Sequence, residues 1–373
     1  MEIQENISLD IELLKRKMVS GIVTFTIRTF FIQVFTFIST FFLTIILAPE
    51  VFGVFFVVSA ILNLFVYFSD IGLAAALIQK KDNLTKIDLS TTFFIQQTIV
   101  TVLIIIGLIL SSRIGMFYGL NSEGIFLLRI LIFSLLLSSL KTMPSIILER
   151  NLEFSKLVIP QIVETIVFYA VAILLALKGL KVDAFAWATL ARGVTGLIVI
   201  YLIKPWFPTP HFGRESAKSL IRFGVPFQLN SVLALIKDDL ITVFLGKMLT
   251  FTQVGYIGWA QKWSFVPLRF FLDSVNKVTF PAYSRLQDHK KDLANVIEKS
   301  IFLVTFFVYP GLFGIAALLP KIVLLIPNYN KWDMAVPLIY LFCLNAVFSA
   351  VSSTFTNVLF ATGKPKIVLN FMI

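Results

Sequence analysis

Long apolar runs alternate with short polar segments along the whole chain. The runs exceed 18 residues and carry few charges, which is the pattern of helices that cross a membrane. Several runs are longer than a bilayer requires, so we expect tilted or kinked helices. The predicted spans are 18–47, 53–79, 89–112, 124–147, 157–177, 182–203, 219–246, 254–281, 298–326 and 334–361, with an eleventh beginning near Lys364.

The composition supports an integral membrane protein. Of 373 residues, 58% are hydrophobic and only 14% are charged, whereas about a quarter of the residues of soluble domains are charged. A soluble fold could not bury so much apolar surface. The sequence therefore predicts an all-α polytopic membrane protein. The first residues, 1–17, are charged and amphipathic, which predicts a cytoplasmic N-terminal segment rather than a cleaved signal.

Lysine and arginine placement predicts the orientation. The loops on the same side of the membrane as the N-terminus hold most of the loop Lys and Arg residues. The loops on the opposite side hold few. By the positive-inside rule, the N-terminus is cytoplasmic. The turn LAPEVFGVF at 47–55 then faces outside.

A second turn, FTQVGYI at 251–257, lies on the same predicted side and aligns Gly255 with Gly53. Two such turns, separated by an even number of spans, predict a parallel repeat of two six-helix lobes related by a pseudo-two-fold axis along the membrane normal. The chain ends KPKIVLNFMI, too short to cross a bilayer, which predicts a truncated second lobe. The predicted divisions are an N-lobe at 18–203 with helices 1–6, a cytoplasmic linker at 204–218, and a C-lobe at 219–373 with helices 7–10 and the start of helix 11.

Ionisable residues fall inside the predicted spans, where each costs about 2.5–3.5 kcal/mol at the bilayer centre. Snorkelling towards an interface accounts for Lys141, Glu164 and Lys277. Two roles are equally expected for the contiguous Lys237, Asp238 and Asp239: an ion pair with another helix, or a ligand site. The remaining cations predict a basic central cavity that binds substrate: Arg28, Arg129, Arg192, Lys262 and Arg269.

Basic residues outnumber acidic ones in the spans, which suits an anionic cargo such as phosphate or pyrophosphate. Lys262 and Arg269 are seven residues apart and are expected to share a helix face.

Catalytic motifs are scarce. The two histidines, His211 and His289, lie in polar junctions, and no Walker motif occurs. The single cysteine, Cys343, allows no disulfide within the chain and no CxxC metal site. The net charge of +11 reflects the loops, and no basic patch with interleaved aromatics indicates nucleic-acid binding. The sequence predicts a carrier without cofactor or metal, not an enzyme.

Several segments resemble a known family. LAPEVFGVF followed by FSDIGLAAALIQKKD is similar to a pattern of bacterial polysaccharide-biosynthesis flippases, and ILERNLEFSKLVIPQIVE and IRFGVPFQLNSV resemble further family segments. The likeness covers essentially the whole chain. The chain is identified as a member of the Wzx-type lipid-linked oligosaccharide flippases of lipopolysaccharide and exopolysaccharide biosynthesis, within the MATE-like MOP exporter superfamily.

The resemblance implies alternating access in the bacterial inner membrane, moving undecaprenyl-pyrophosphate-linked O-antigen, capsule or exopolysaccharide units. Family members carry functional cations in helices 1 and 8, where Arg28, Lys262 and Arg269 occupy comparable places. Membrane lipids, a polysaccharide polymerase and a chain-length regulator are candidate partners, and H+ or Na+ is a candidate coupling ion, with Asp70 and Asp239 as its sites. Gly53 and Gly255 are candidate gate turns.

The alternatives are a drug or cation exporter of the same superfamily, a membrane-embedded glycosyl- or acyltransferase, and a non-transporting subunit of a polysaccharide synthesis complex.

Overall fold

The computed structural model describes residues 24, 27–80, 84–364 and 367–368. The segment 1–17 lies outside them, as do the side chains at 227, 229–238, 273, 274, 277, 278 and 281, and with them those of Lys237, Asp238 and Lys277. Within the described part every regular element is helical, so the predicted all-α class is confirmed. The helices are α1 Ile27–Ile46, α2 Pro49–Ser69, α3 Leu73–Gln79, α4 Lys86–Tyr118, α5 Ser122–Leu140, α6 Thr142–Arg150, α7 Phe154–Leu177, α8 Asp183–Ile203, α9 Arg214–Met248, α10 Phe251–Ser264, α11 Val266–Arg285, α12 Lys290–Leu325, a 3-10 helix Asn330–Ala335 and α13 Val336–Ala361.

Eight helical segments in the described residues are long and apolar enough to cross a membrane, which makes the chain a multi-pass membrane protein. They are α1, α2, α4, α5 together with α6, α7, α8, α12, and the 3-10 helix with α13. The predicted spans 219–246 and 254–281 correspond to α9 and to α10 with α11, which are not among the eight. Both include residues whose side chains the structure does not describe, so the eight segments neither confirm nor exclude these two spans.

Three predicted spans are interrupted. Span 53–79 breaks at Gly72, whose φ of 77° lies in the left-handed region that glycine adopts at little cost. Span 124–147 breaks at Lys141, between α5 and α6. Span 254–281 breaks at Phe265, just before Pro267 in the first turn of α11. Periodicity alone does not reveal such breaks because the apolar pattern continues through them.

Contacts divide the chain into two compact units, Met1–Val254 and Gly255–Ile373. In the first unit α8 packs on α5 and α7, and α9 packs on α2, α3 and α4. A ring cluster fills the space between α2, α7 and α8, with Phe55 stacked on Phe185 at a centroid distance of 4.3 Å. This division groups α9 with the helices before it, while the lobe boundary at the 204–218 linker stays a prediction.

The second unit is built from α11, α12, α13 and the 3-10 helix, which contact one another. Trp259 of α10 stacks on Trp332 at 5.1 Å between centroids and donates from Nε1 to the hydroxyl of Tyr329 at 3.3 Å. All three rings are almost fully buried. Because a buried indole N–H needs an acceptor, the tyrosine hydroxyl fixes the orientation of this cluster.

Candidate substrate-binding site

A cavity of about 340 Å³ lies among α2, α4, α5 and α8 in the first unit. Its wall mixes apolar side chains such as Leu62 and Val66 with hydroxyl, amide and charged groups. The polar lining residues are Ser69, Asp70, Gln96, Ser134, Ser138, Ser139, Lys141, Thr142, Thr189 and Arg192. A wall of this composition can hold a polar or charged group among apolar helices.

A charged triad stands at one wall of the cavity. Glu164 of α7 is buried, and its Oε1 accepts a hydrogen bond from Lys141 Nζ at 2.6 Å. Its Oε2 lies 3.5 Å from Arg192 Nε on α8. Lys141 and Glu164 therefore pair with each other among the helices, and the interpretation that they snorkel is wrong. A buried carboxylate and ammonium are tolerated when they are paired and hydrogen-bonded in this way.

A glycine on α8 makes room for this carboxylate. A Cβ atom added at Gly196 would lie 1.9 Å from Glu164 Oε1, far inside the contact distance. The side chain of Glu164 thus packs directly against the backbone of α8 at Gly196.

Arg192 is the more accessible of the two cations that line the cavity. Its side chain is 54% accessible, compared with 18% for Lys141. The guanidinium carries five N–H donors, and Nε is the nitrogen that faces Glu164. The terminal nitrogens can bind an oxyanion bidentately. Of the five predicted substrate-binding cations, Arg192 is the one in the lining of this cavity.

The other predicted cations are not among the residues that line this cavity. Arg129 of α5 is exposed and donates from Nε to Ser111 Oγ at 3.0 Å and from Nη2 to Ser112 Oγ at 3.1 Å on α4. Arg28 of α1 is partly buried, and its Nε finds no partner among the described residues.

Lys262 and Arg269 both belong to the second unit. The turn at Phe265 places Lys262 at the end of α10 and Arg269 in α11, so the expectation of a single continuous helix carrying both is wrong. Lys262 is partly buried and Arg269 is exposed.

The two predicted coupling acids have different surroundings. Asp70 lines the cavity, and its Oδ1 accepts from the backbone N–H of Leu73 at 2.9 Å, which caps α3. Asp239 of α9 accepts from Asn63 Nδ2 at 3.0 Å and from the Tyr67 hydroxyl at 2.5 Å, both on α2. Asp239 is thus a polar link between α2 and α9.

Glycines let α2 and α3 approach the following helices closely. A Cβ added at Gly53 would lie 1.7 Å from the carbonyl oxygen of Phe251, where α10 begins. A Cβ added at Gly246 of α9 would lie 2.5 Å from Val57 Cγ2, and one at Gly224 would lie 2.7 Å from the carbonyl oxygen of Ile71. Small residues at helix contacts are typical of membrane bundles.

The contact at Gly53 is a contact between the two turns that the sequence aligned. Gly53 lies in LAPEVFGVF, and Phe251 is the first residue of FTQVGYI. Gly224 and Gly246 are not among the residues predicted from the sequence. The signal available for them is a glycine inside a long helical run.

Residues 42–337 match the model of a protein family described as polysaccharide biosynthesis protein. The chain belongs to this family. The predicted resemblance to Wzx-type flippases is confirmed at this level. The lipopolysaccharide biosynthesis protein WzxC of Escherichia coli K12 is 23% identical over 313 residues, which are 81% of this chain and 61% of that protein. The succinoglycan biosynthesis transport protein ExoT of Rhizobium meliloti 1021 is 22% identical over 325 residues, 86% of this chain and 64% of that protein.

Solved structures share the fold. The lipid II flippase MurJ in an inward closed conformation superposes with a TM-score of 0.71 at 17% identity, covering 92% of this chain and 78% of that one. An inward-facing multidrug resistance transporter of the MATE family in the MOP superfamily gives a TM-score of 0.60 at 15% identity, covering 91% and 85%. At these identities the likeness shows the fold. The chain spans 61% to 64% of the length of WzxC and ExoT.

Proposed function

We propose that this family member is a flippase that translocates an undecaprenyl-pyrophosphate-linked oligosaccharide across the bacterial inner membrane. The observation that carries the proposal is the exposed guanidinium of Arg192 at a cavity wall inside the helical bundle. A pyrophosphate presents planar sets of oxygens that arginine binds bidentately. The relatives act in lipopolysaccharide and succinoglycan biosynthesis, according to their names.

The triad suggests how substrate binding is made reversible. Glu164 and a pyrophosphate both offer oxygens to Arg192, and Lys141 holds Glu164 in place when the substrate occupies the guanidinium. Arginine can therefore exchange an internal oxyanion partner for an external one and stay paired throughout. The polyprenyl tail stays in the lipid, and the sugar occupies the polar part of the cavity.

The remaining parts of the proposal follow the sequence. The N-terminus is cytoplasmic, lobes at 18–203 and 219–373 alternate in access, and the 204–218 linker joins them. Arg28, Lys262 and Arg269 contribute further cationic contacts along the path. A polymerase and a chain-length regulator use the product on the outer side. Opening at the outer face separates Gly53 from the first turn of α10, which are now in contact.

Deletion of the gene from its bacterial host tests the proposal. Lipid-linked oligosaccharide is expected to accumulate and surface polysaccharide to disappear, and the wild-type chain is expected to restore both. Arg192→Ala is expected to restore less than a tenth of the polysaccharide because the main phosphate contact at the cavity wall is lost. Immunoblotting checks that each variant reaches the membrane.

Arg129→Ala is the matched control, since this arginine is exposed and lies outside the cavity lining. It is expected to restore polysaccharide to near the wild-type level. Equal loss in both variants would show that the two arginines act through folding. A normal level of surface polysaccharide in the deletion strain would contradict the proposed flippase function.

Ion coupling is a further part of the proposal, with Asp239 as the site. Its carboxylate accepts hydrogen bonds from two neutral donors on α2, so a cation bound there would change the link between α2 and α9. Asp239→Asn is expected to remove the dependence of transport on an imposed Na+ gradient in membrane vesicles, because the charge that would attract the ion is lost. An ion dependence identical to that of the wild type would remove Asp239 from the coupling mechanism.

A further inference from the structure

Arg129 on α5 is held in place by two neutral groups. Its Nε donates to Ser111 Oγ at 3.0 Å, and its Nη2 donates to Ser112 Oγ at 3.1 Å, both on α4. Ser111 donates its own hydroxyl proton to the carbonyl oxygen of Leu108 at 2.7 Å, so a lone pair of its oxygen is available to the guanidinium. No ion pair among the described residues includes Arg129. The two hydroxyl groups therefore orient its charge without neutralising it.

A close approach of α4 and α5 builds this contact. Small residues recur at every fourth position along the buried stripe of α4, at Gly107, Ser111 and Gly115. A Cβ added at Gly115 would lie 2.5 Å from Ile125 Cγ1 on α5. Small residues at such positions let the backbones of membrane helices pack closely. The two serines are thereby kept within reach of Arg129.

Arg129 lies on the face of α5 that the other helices leave open. α5 packs on α2, α4 and α8, and the preceding residue, Leu128, is fully buried on the packed side. Arg129 itself is exposed. On α4, Ile109 and Met116 share a helix face with Ser112, and they are 71% and 75% exposed. Large exposed apolar side chains of a membrane helix face the acyl chains, so the guanidinium lies at a lipid-facing surface of the first unit.

The position of Arg129 along the helices places it near one surface of the membrane. It lies about two turns after α5 begins at Ser122, which is about 10 Å along the helix axis. The 33 residues of α4 span about 50 Å, whereas the hydrocarbon core is about 30 Å thick. With the helix centred in the bilayer, each end extends about 10 Å beyond the core. Arg129 is then at the boundary between acyl chains and head groups.

A tryptophan marks the same level independently. Trp187 lies about one turn after the start of α8 and is 46% exposed. Its ring contacts that of Phe126, which precedes Arg129 by one turn of α5, at 5.8 Å between centroids. Tryptophan is enriched where lipid head groups meet the acyl region. The rings therefore support the assignment of Arg129 to this level.

The guanidinium keeps one edge for a ligand. Nε and one proton of Nη2 point to the serines, and no hydrogen bond among the described residues uses Nη1. The Nη1–Nη2 edge presents two parallel N–H groups, which a phosphate accepts bidentately. A cation without a counter-ion is unfavourable next to hydrocarbon. A lipid phosphate supplies that counter-ion at the right depth, whereas a soluble anion would lose its hydration beside acyl chains.

We propose that Arg129, oriented by Ser111 and Ser112, binds the phosphodiester of a membrane phospholipid whose acyl chains lie along Ile109 and Met116. The ligand class is an anionic phospholipid that carries no cation in its head group, such as phosphatidylglycerol. Arg129 is not among the residues that line the cavity beside Arg192. The inference is therefore independent of the proposed flippase activity.

The test measures binding of phosphatidylglycerol to the purified chain in a neutral detergent by native mass spectrometry. We expect it to bind at least ten-fold more tightly than a diacylglycerol with the same acyl chains, which lacks the phosphate. Arg129→Gln is expected to weaken phosphatidylglycerol binding about ten-fold, because a charge-assisted bidentate contact is lost. An unchanged elution profile in size-exclusion chromatography checks the fold. Equal affinity for the two lipids would overturn the proposal.

Arg113→Gln is the matched control. Arg113 directly follows Ser112 on α4 and is exposed, so the variant removes the same charge close to the site. Affinity within about two-fold of the wild type is expected, because a surface charge that is not held in a fixed geometry contributes little. Equal weakening in Arg113→Gln and Arg129→Gln would show a diffuse charge effect and overturn the proposal.

A variant that keeps the charge tests the role of the serines. Ser111→Ala with Ser112→Ala is expected to weaken phosphatidylglycerol binding about five-fold, because Arg129 remains but is no longer oriented. Unchanged affinity in this variant would overturn the oriented site. Inorganic phosphate at millimolar concentration is expected not to displace the lipid. Displacement by inorganic phosphate would overturn the proposal in favour of a site for a soluble anion.

Discussion

Replacing Glu164 with glutamine is expected to lower the free energy of unfolding by about 3 kcal/mol, because removing one partner of a buried ion pair strands the other. The stranded group is Lys141, whose side chain is only 18% exposed and which loses its 2.6 Å carboxylate contact. Arg192 loses its counter-ion in the same step. The measurement is unfolding of the purified chain in detergent, followed by the burial-sensitive fluorescence of its tryptophans.

Glu50→Gln is the matched control, because this carboxylate is exposed in the first turn of α2. Its effect is expected to stay within about 0.5 kcal/mol. A double-mutant cycle with Lys141→Met isolates the pair, and the double variant is expected to be more stable than the sum of the single losses predicts. A loss under about 1 kcal/mol for Glu164→Gln would show that the triad is solvated and does not hold α7 to α8.

Replacing Gly53 with alanine is expected to force α2 away from the start of α10, because the new methyl carbon would lie 1.7 Å from the Phe251 carbonyl oxygen. That atom belongs to the backbone, so no side-chain rotation can relieve the overlap. We expect the contact to open and transport to fall to about a tenth or less, on the order of the effect of a misplaced functional element.

The opening can be measured directly. A cysteine introduced at Val254, which is only 3% exposed in the first turn of α10, reports accessibility to a membrane-impermeant maleimide in a Cys343→Ala background. Labelling is expected to rise several-fold in Gly53→Ala. Gly314→Ala in α12 is the control, since a Cβ there meets no atom within 4 Å. Unchanged labelling and unchanged transport in Gly53→Ala would remove the Gly53 contact from the gating account.

The membrane helices were predictable because their signal is local. A long run of apolar residues indicates a lipid environment without reference to the rest of the chain. The sequence therefore indicated each of the eight apolar segments. The breaks at Gly72 and Lys141 were not indicated, since they depend on single backbone conformations and not on composition. The expected helix continuity from Lys262 to Arg269 failed although the sequence shows Pro267, a residue typical of a first helical turn, close to the break.

The polar contacts could not be predicted because their partners are distant in sequence. Asp239 meets Tyr67 across 172 positions, and Glu164 meets Lys141 across 23. The sequence showed that charges in the spans need partners, and the structure supplies the partners. It also divides the predicted cations: Arg192 faces a cavity, while Arg129 binds serines of α4.

Translocation in proteoliposomes tests the central claim most directly. The purified chain is reconstituted with a fluorescent polyprenyl-pyrophosphate-linked oligosaccharide, and an impermeant quencher reports the fraction that remains in the outer leaflet. We expect protein-dependent movement of this lipid, loss of that movement in Arg192→Ala, and no movement of a cationic dye. Transport of the dye with no movement of the oligosaccharide lipid would contradict the account and favour a drug exporter, and movement of neither would contradict a transport function.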